Sequence, residues 1–201
     1  MRINKDFIIA IIALFTFTSI SSAQITNQDE MIKRRAAEKV AQMNDYISFM
    51  ASKKKAYKNR KYYSEKALNL FIGRGYDYEE NGINKKGVMM EITSIRKTSV
   101  SHKLVRDYFN NLINLNYSDV KITSTEIANI KVSNLQQISE DTYVCTCQYD
   151  QAFVGYRDGR PLYKDITTKR IKCYIKAEDT EDGTEYIIML GDITALQTKK
   201  L

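Results

Sequence analysis

An α+β domain, with helices leading and an antiparallel sheet following, is predicted by three features of the 201-residue sequence. Apolar residues recur at helical spacing in the first half. From Tyr117 onward they alternate with polar ones. Two Asp-Gly pairs, Asp158-Gly159 and Asp182-Gly183, fall between the alternating runs and signal tight hairpins. Long strands joined by hairpins make a meander, and helices that precede a meander pack on one of its faces.

The chain opens MRINKDFIIAIIALFTFTSISSA, then Gln24. Arg2 and Lys5 supply a positive start, and Phe7 to Thr18 is apolar apart from threonines. Ser21-Ser22-Ala23 then puts small residues before a cut at Ala23–Gln24, which is the layout of a secretory signal peptide. The apolar run is shorter than the about 20 residues a spanning helix needs. No cysteine follows it to carry a lipid. Residues 1–23 are therefore expected to be a signal peptide and residues 24–201 a single α+β domain. The expected location is periplasmic or secreted, not integral to the membrane. The sequence contains one proline, Pro161, and no low-complexity linker or repeat that would divide the domain.

Residues 28–51 predict a helix with Met31, Val40, Met43, Ile47 and Met50 on one stripe, and Asn27 with Glu30 resembles a capping box. A second helix is predicted over 61–72, stopping at Gly73. The segment GRGYDYEENGINKKG is turn-rich, with a short strand near Tyr76 and Tyr78 before the turn signal Asn81-Gly82. Residues 88–96 read as a strand. Residues 99–116 return to helical spacing through Leu104, Val105, Tyr108, Leu112 and Leu115, with Ser99 as N-cap. Four strands follow, over 119–135, 141–156, 161–177 and 184–197.

This order resembles the nuclear-transport-factor-2-like, or cystatin-like, fold family over nearly all of 28–197. The block ending ALNLFIGRG, the segment SHKLVRDYFNNLINL and the last strand EYIIMLGDITALQT carry the resemblance. It implies a curved antiparallel sheet wrapped around the helices and enclosing a conical cavity. It also implies kinship with isomerases, dehydratases, ligand carriers and secreted bacterial members of unassigned activity, many of them dimers. The family's isomerases place a tyrosine and acidic groups in the cone. No motif aligns any one of this chain's 14 tyrosines with that role, so no catalytic residue is carried over.

Alternation identifies an inward face without help from the family. In 141–156 the odd positions Tyr143, Cys145, Cys147, Tyr149, Gln151 and Phe153 are bulkier and more apolar than the even ones. In the next strand Ile171, Cys173, Ile175 and Ala177 alternate with Arg170, Lys172, Tyr174 and Lys176. The candidate cavity wall is therefore Tyr143, Cys147, Tyr149, Phe153, Ile171 and Ile175. A hairpin loop of Asp158-Gly159-Arg160 sets Cys145 opposite Cys173, whereas Arg157-Asp158-Gly159 sets it opposite Ile171. In the first register a Cys145–Cys173 disulfide is geometrically allowed, and an exported location permits oxidation. Buried free thiols are the alternative.

Other chemistry finds little footing. A closed zinc site wants four ligands, and the three cysteines lack a fourth at recognisable spacing. His102, the one histidine, reads as a capping or surface group. No phosphate loop, Gly-x-Ser-x-Gly or His-Glu-x-x-His is present, and no cofactor is implied. The mature chain carries a net charge of +6, and its basic excess is local. Lys53, Lys54, Lys55, Lys58, Arg60 and Lys61 fall within nine residues. They read first as a solvated helix junction, with weak contact to anionic surfaces as the alternative; export argues against nucleic acid. The leading expectation is an exported, non-catalytic binding or interaction module using the cavity or the sheet surface, with a small ligand or a protein as partner. A small-molecule isomerase or dehydratase and a structural protein acting through homodimerisation are the alternatives.

Overall fold

The computed structural model describes the backbone of residues 5–80 and 82–201 and the side chains of 27–80, 82–96 and 99–201. The side chains of residues 1–26, those of the expected signal peptide and cleavage site among them, lie outside the described residues. In chain order the elements are α1 (Lys5–Ala51), α2 (Tyr57–Leu68), β1 (Tyr78–Glu80), β2 (Ile83–Lys85), β3 (Met89–Ser94), β4 (Lys97–Leu104), α3 (Val105–Ile113), β5 (Asp119–Ser124), β6 (Lys131–Val132), β7 (Gln136–Gln137), β8 (Thr142–Arg157), β9 (Arg160–Thr180) and β10 (Gly183–Lys200). The main sheet runs β4-β3-β10-β9-β8-β5, with β6 and β7 also paired to β8. All its pairings are antiparallel except β10 with β3. The helices pack on one face of this sheet, which is the α+β architecture the sequence predicts. Among the described residues no helix is long and apolar enough to cross a membrane.

The core lies between α1 and the inward rows of the sheet. Ile32, Ala36, Val40, Met43, Ile47 and Met50 form the buried stripe of α1, at the three- and four-residue steps of an amphipathic helix. Met31, expected on that stripe, is exposed instead, and Ile32 takes its place one position on. Phe71, Phe109, Met90, Ile171, Ile175 and Leu190 complete the core.

Helix α1 begins at Lys5, not near residue 28, so Asn27 lies inside it and caps no helix start. Three further elements differ from expectation, each because tertiary pairing overrides local spacing. Helix α2 ends at Leu68, not Gly73. Leu70 and Phe71 are drawn into the sheet, where Leu190 N–H donates to Leu70 O at 2.8 Å and Phe71 bridges Leu190. The expected helix over 99–116 is strand as far as Leu104, because that segment pairs with β3 through Ile92–Ser101 and Met90–Lys103. Leu104, not Ser99, occupies the N-cap of α3 and offers no capping side chain. The expected strand over 119–135 breaks after Ser124, where the Thr125 backbone N–H donates to Asp150 O and Asp150 N–H donates to Thr125 Oγ1.

The β8–β9 hairpin turns on two residues, Asp158 and Gly159, both at positive φ (52° and 75°), as a two-residue hairpin of primed type requires. Arg157 pairs with Arg160, and a bulge between Gly155 and Tyr156 then shifts the register. The outcome pairs Cys145 with Cys173, the first of the two expected registers, reached by a shorter loop plus a bulge. A second bulge, between Leu190 and Ile193 on β10, reverses which residues of that strand face in. It lets Asp192 Oδ1 accept the Met89 N–H at 2.8 Å, which joins the β3–β4 hairpin to the sheet. Bulges of this kind bend a strand and increase its twist.

The cationic junction is only partly solvated. Lys53 Nζ and an Arg60 guanidinium nitrogen both donate to Ile113 O, at 2.8 and 2.6 Å. Two cations thus cap the C-terminal residue of α3, where free carbonyls and the helix dipole favour positive charge. Lys54, Lys58 and Lys61 are exposed, and Lys55 Nζ lies 5.0 Å from the centre of the Phe49 ring.

The opposite face of the sheet is polar, with Thr146, Gln148, Lys172 and Tyr174 among its residues. The β1–β2 ribbon is tied to it through Glu80, whose carboxylate accepts hydrogen bonds from Lys172 (2.8 Å), Tyr174 and Lys85. Burial would raise the Glu80 carboxyl, but these hydrogen bonds overcome it and hold it at about 2, against an ordinary 4.5. A depressed carboxyl contributes stability that is complete above its unfolded value and is lost as pH falls through its folded value. Glu80→Gln is therefore expected to destabilise the protein at neutral pH and to remove the acid-side loss between pH 4.5 and 2. Urea midpoints measured across that range for both proteins check it.

Candidate functional site

Hairpin β8–β9 supplies one continuous inward row, and its character changes along its length. At one end Cys145 pairs with Cys173 and Cys147 with Ile171, all buried under α1. At the other Tyr149 pairs with Lys169, Gln151 with Thr167 and Phe153 with Asp165. The apolar end is buried in the core. The polar end opens into a cleft of about 410 Å³ roofed by α3 and by the β3–β4 hairpin.

Leu112 and Leu115, together with Tyr108 on α3, form one wall. Phe153, Tyr117 and Tyr163 form the other, meeting edge to face with ring centres 5.9 Å apart at each step. Gly155 makes that wall possible. A Cβ built there would sit 2.6 Å from the Tyr117 ring, so a side chain at 155 would displace Tyr117.

Two ionisable groups stand on the floor. Lys169 is 6% exposed and Asp165 5%. Tyr163 Oη donates to Asp165 Oδ2. The tyrosine is itself held by the Ser94 hydroxyl at 2.8 Å, by the Ile95 N–H and by the Arg96 guanidinium 4.9 Å over its ring. Burial raises the Asp165 carboxyl, outweighing the Tyr163 hydrogen bond and the charge of Lys169. Burial likewise lowers the Lys169 ammonium to about 8, against the pull of Asp165. The Lys169 Nζ lies 5.6 Å from the centre of the Tyr108 ring, and among the described residues it has no hydrogen-bond or ion-pair partner. The Tyr108 hydroxyl is pushed up to about 12, by burial and then by Asp165. Beside them Gln151 Nε2 donates to Asn44 Oδ1 (2.8 Å), and Asn44 Nδ2 donates to Val40 O (3.1 Å), fixing the back of the cleft to α1. Lys103 and Arg96 stand exposed at the mouth. The arrangement offers a protonatable amine, a carboxyl that holds its proton more readily than usual and an apolar bed, which together can bind an oxygen-bearing molecule and exchange protons with it.

Of the six residues expected to line the cavity, Phe153 does so. Cys147, Ile171 and Ile175 are core, Tyr149 is buried beneath the cleft floor, and Tyr143 is half-buried outside the cleft. The apolar members were drawn to the closed end because apolar side chains pack, whereas the open end must hold the groups that water or ligand can satisfy. Asp165, Thr167 and Lys169 were missed although they continue the odd-numbered row of Ile171 and Cys173. Extending that alternation six residues toward Pro161 would have found them.

The three cysteines are free thiols. Their sulfur atoms all lie within 4.8 Å of one another, and Cys147 Sγ is 3.7 Å from Cys173 Sγ. Hydrogen bonds to Cys145 and Cys147, with burial, push the Cys173 thiol well up. Among the described residues this is the group whose donors could hold a metal, and sulfur in this number suits a soft ion. His102 is exposed on β4, 3.8 Å from Glu91, and stands at no helix start.

No family model matches the chain, and no curated protein matches it. Among solved structures it is similar to one described as "Putative Scytalone Dehydratase" from Novosphingobium aromaticivorans. The identity is 14% and the TM-score 0.40, covering 87% of this chain and 91% of that one. No residue role is carried over from it.

A buried ammonium with a lowered folded value costs stability wherever it stays charged. Lys169→Met is accordingly expected to raise the thermal midpoint at neutral pH. The gain is on the order of 1–3 kcal/mol, limited by Asp165, which would lose its counter-charge. Calorimetry of the two proteins checks this.

Proposed function

We propose that the chain is an exported small-molecule-binding protein of the periplasm or exterior, and that the cleft takes a small amphipathic ligand with an oxygen-bearing head. The observation that carries this reading is Lys169, nine-tenths buried and facing an apolar cleft without a partner among the described residues. A charge is tolerated in such a place when something else satisfies it in the working state. A ligand head that is acidic or strongly accepting does so, while Leu112, Leu115 and Phe153 take the apolar body. The size lies at the lower end of ligand pockets, suited to a single ring or short chain.

Benzoate is a suitable probe. Its binding, followed by titration calorimetry, is expected to weaken as pH rises through about 8, where Lys169 loses its charge. Asp165, Tyr108, Tyr163, Lys103 and Arg96 also face the cleft, and none of them opposes that sign: the acids gain negative charge with rising pH. Lys169→Met should cost about 10-fold or more, as the loss of a charge-assisted hydrogen bond does. Equal affinity in wild type and variant would overturn the reading. Export has its own test: the native N-terminus should be Gln24, and a retained Met1 would refute it.

A second reading, proton-transfer chemistry of the isomerase or dehydratase type, is favoured by one further observation. Tyr163 hydrogen-bonds a carboxyl that burial makes a weaker acid than usual, a pairing suited to general acid or base chemistry. Asp165→Asn separates the two readings: it should preserve ligand binding and abolish any turnover.

A further inference from the structure

We propose that Lys169 captures a carbonyl compound covalently, as an imine, so that the ligand class of the cleft is a small aldehyde or ketone. This rests on the ligand-binding reading above and deepens it. Geometry makes the case. The amine sits on a rigid central strand, with β8 and β10 on either side. It is nine-tenths buried, neither hydrogen-bonded nor ion-paired among the described residues, and opens on the cleft floor. A lysine held only as a structural cation would be drawn to a partner carboxylate. Here the nearest acid on its face, Asp165, acts on it only through space and is occupied by Tyr163. A lysine desolvated in an apolar pocket is the form in which the amine becomes a nucleophile, because burial favours the neutral state with its free electron pair. Its value near 8 is consistent with that.

The step balances with groups that the cleft itself supplies. The nitrogen electron pair of neutral Lys169 attacks the carbonyl carbon and forms the C–N bond. The carbonyl π pair moves to oxygen, which takes up one of the two protons of the attacking nitrogen to give the neutral carbinolamine. The Asp165 carboxyl supplies a proton to that hydroxyl, the C–O bond breaks and water leaves. The nitrogen gives up its remaining proton, returning one to the Asp165 carboxylate. Net, one carbonyl and one primary amine become one imine and one water, with no change of oxidation state. Tyr163 holds Asp165 in place and Thr167 lies between the two on the same row. Phe153, Leu112 and Leu115 bound the space in which the carbonyl's apolar substituent would lie.

Benzaldehyde with cyanoborohydride tests this, since reduction locks an imine as a stable secondary amine. Near pH 8 the processed protein is expected to gain one benzyl group per chain, mapped by peptide mass to Lys169. The label at that position should be absent from Lys169→Arg and Lys169→Met, whose folding is checked by their thermal midpoints. Asp165→Asn should label at least about 10-fold more slowly, the usual scale for loss of a general acid. Label spread over exposed lysines such as Lys54, Lys58 and Lys61, with Lys169 unmodified, would overturn the proposal. Benzoate binding measured alongside keeps the two ideas apart. Binding without trapping at Lys169 sinks the imine and leaves the ligand reading standing. Absence of both sinks both.

Discussion

Everything in this molecule hangs on the pairing of β8 with β9. Sixteen residues of one strand meet twenty-one of the other, and because side chains alternate, the register decides which set faces the helices. A shift of one residue would put Arg170, Lys172 and Lys176 into the core and Ile171, Cys173 and Ile175 into water. The turn at Asp158-Gly159 alone does not deliver the observed register. The two-residue turn and the bulge beyond Gly155 act together, and they bring Cys145 against Cys173 while placing Tyr163 and Asp165 at the cleft. Core and candidate site are thus two ends of one row, and neither can be changed without moving the other.

The polar end of that row is held at a cost in stability. Burying Asp165 and Lys169 removes both from water without bringing them into contact, and the interior penalises each charge. The surrounding structure limits that cost. Tyr163 hydrogen-bonds the acid, the Tyr108 ring stands near the amine, and the β3–β4 hairpin clamps Tyr163 through Ser94 and Arg96. Residues so placed and so supported fit a ligand site better than a structural core, since apolar side chains of similar volume would pack there more favourably. The contrast with Glu80 is instructive. On the outer face three donors converge on one carboxylate and lower its value, which is what a structural ion pair does.

The helices contribute position more than chemistry. Helix α1 lays its apolar stripe on the inward row and pins Gln151 through Asn44. Helix α3 carries Tyr108 and Leu112 over the cleft, with Leu115 just beyond its end, and its C-terminus is fixed by Lys53 from the junction between α1 and α2 and by Arg60 from the first turn of α2. A charge run that resembles a surface-binding patch therefore also anchors the roof of the candidate site.

Much of this was legible in the sequence because it depends on local period and turn chemistry. The α+β class, the β8–β10 meander, the α1 stripe from Val40 to Met50 and the inward parity of Cys145, Cys147 and Tyr149 all follow from spacing and from two Asp-Gly turns. What spacing could not provide was decided by partners distant in sequence. Leu70 leaves its helix because Leu190 offers a backbone hydrogen bond, and Ser99 to Leu104 become strand because β3 lies beside them. The cleft is the clearest case. Asp165, Thr167 and Lys169 look like solvent-facing residues on their own. Only the closure of α3 and the β3–β4 hairpin over that end of the sheet encloses them, because burial is a property of what is packed above a residue and not of the residue itself.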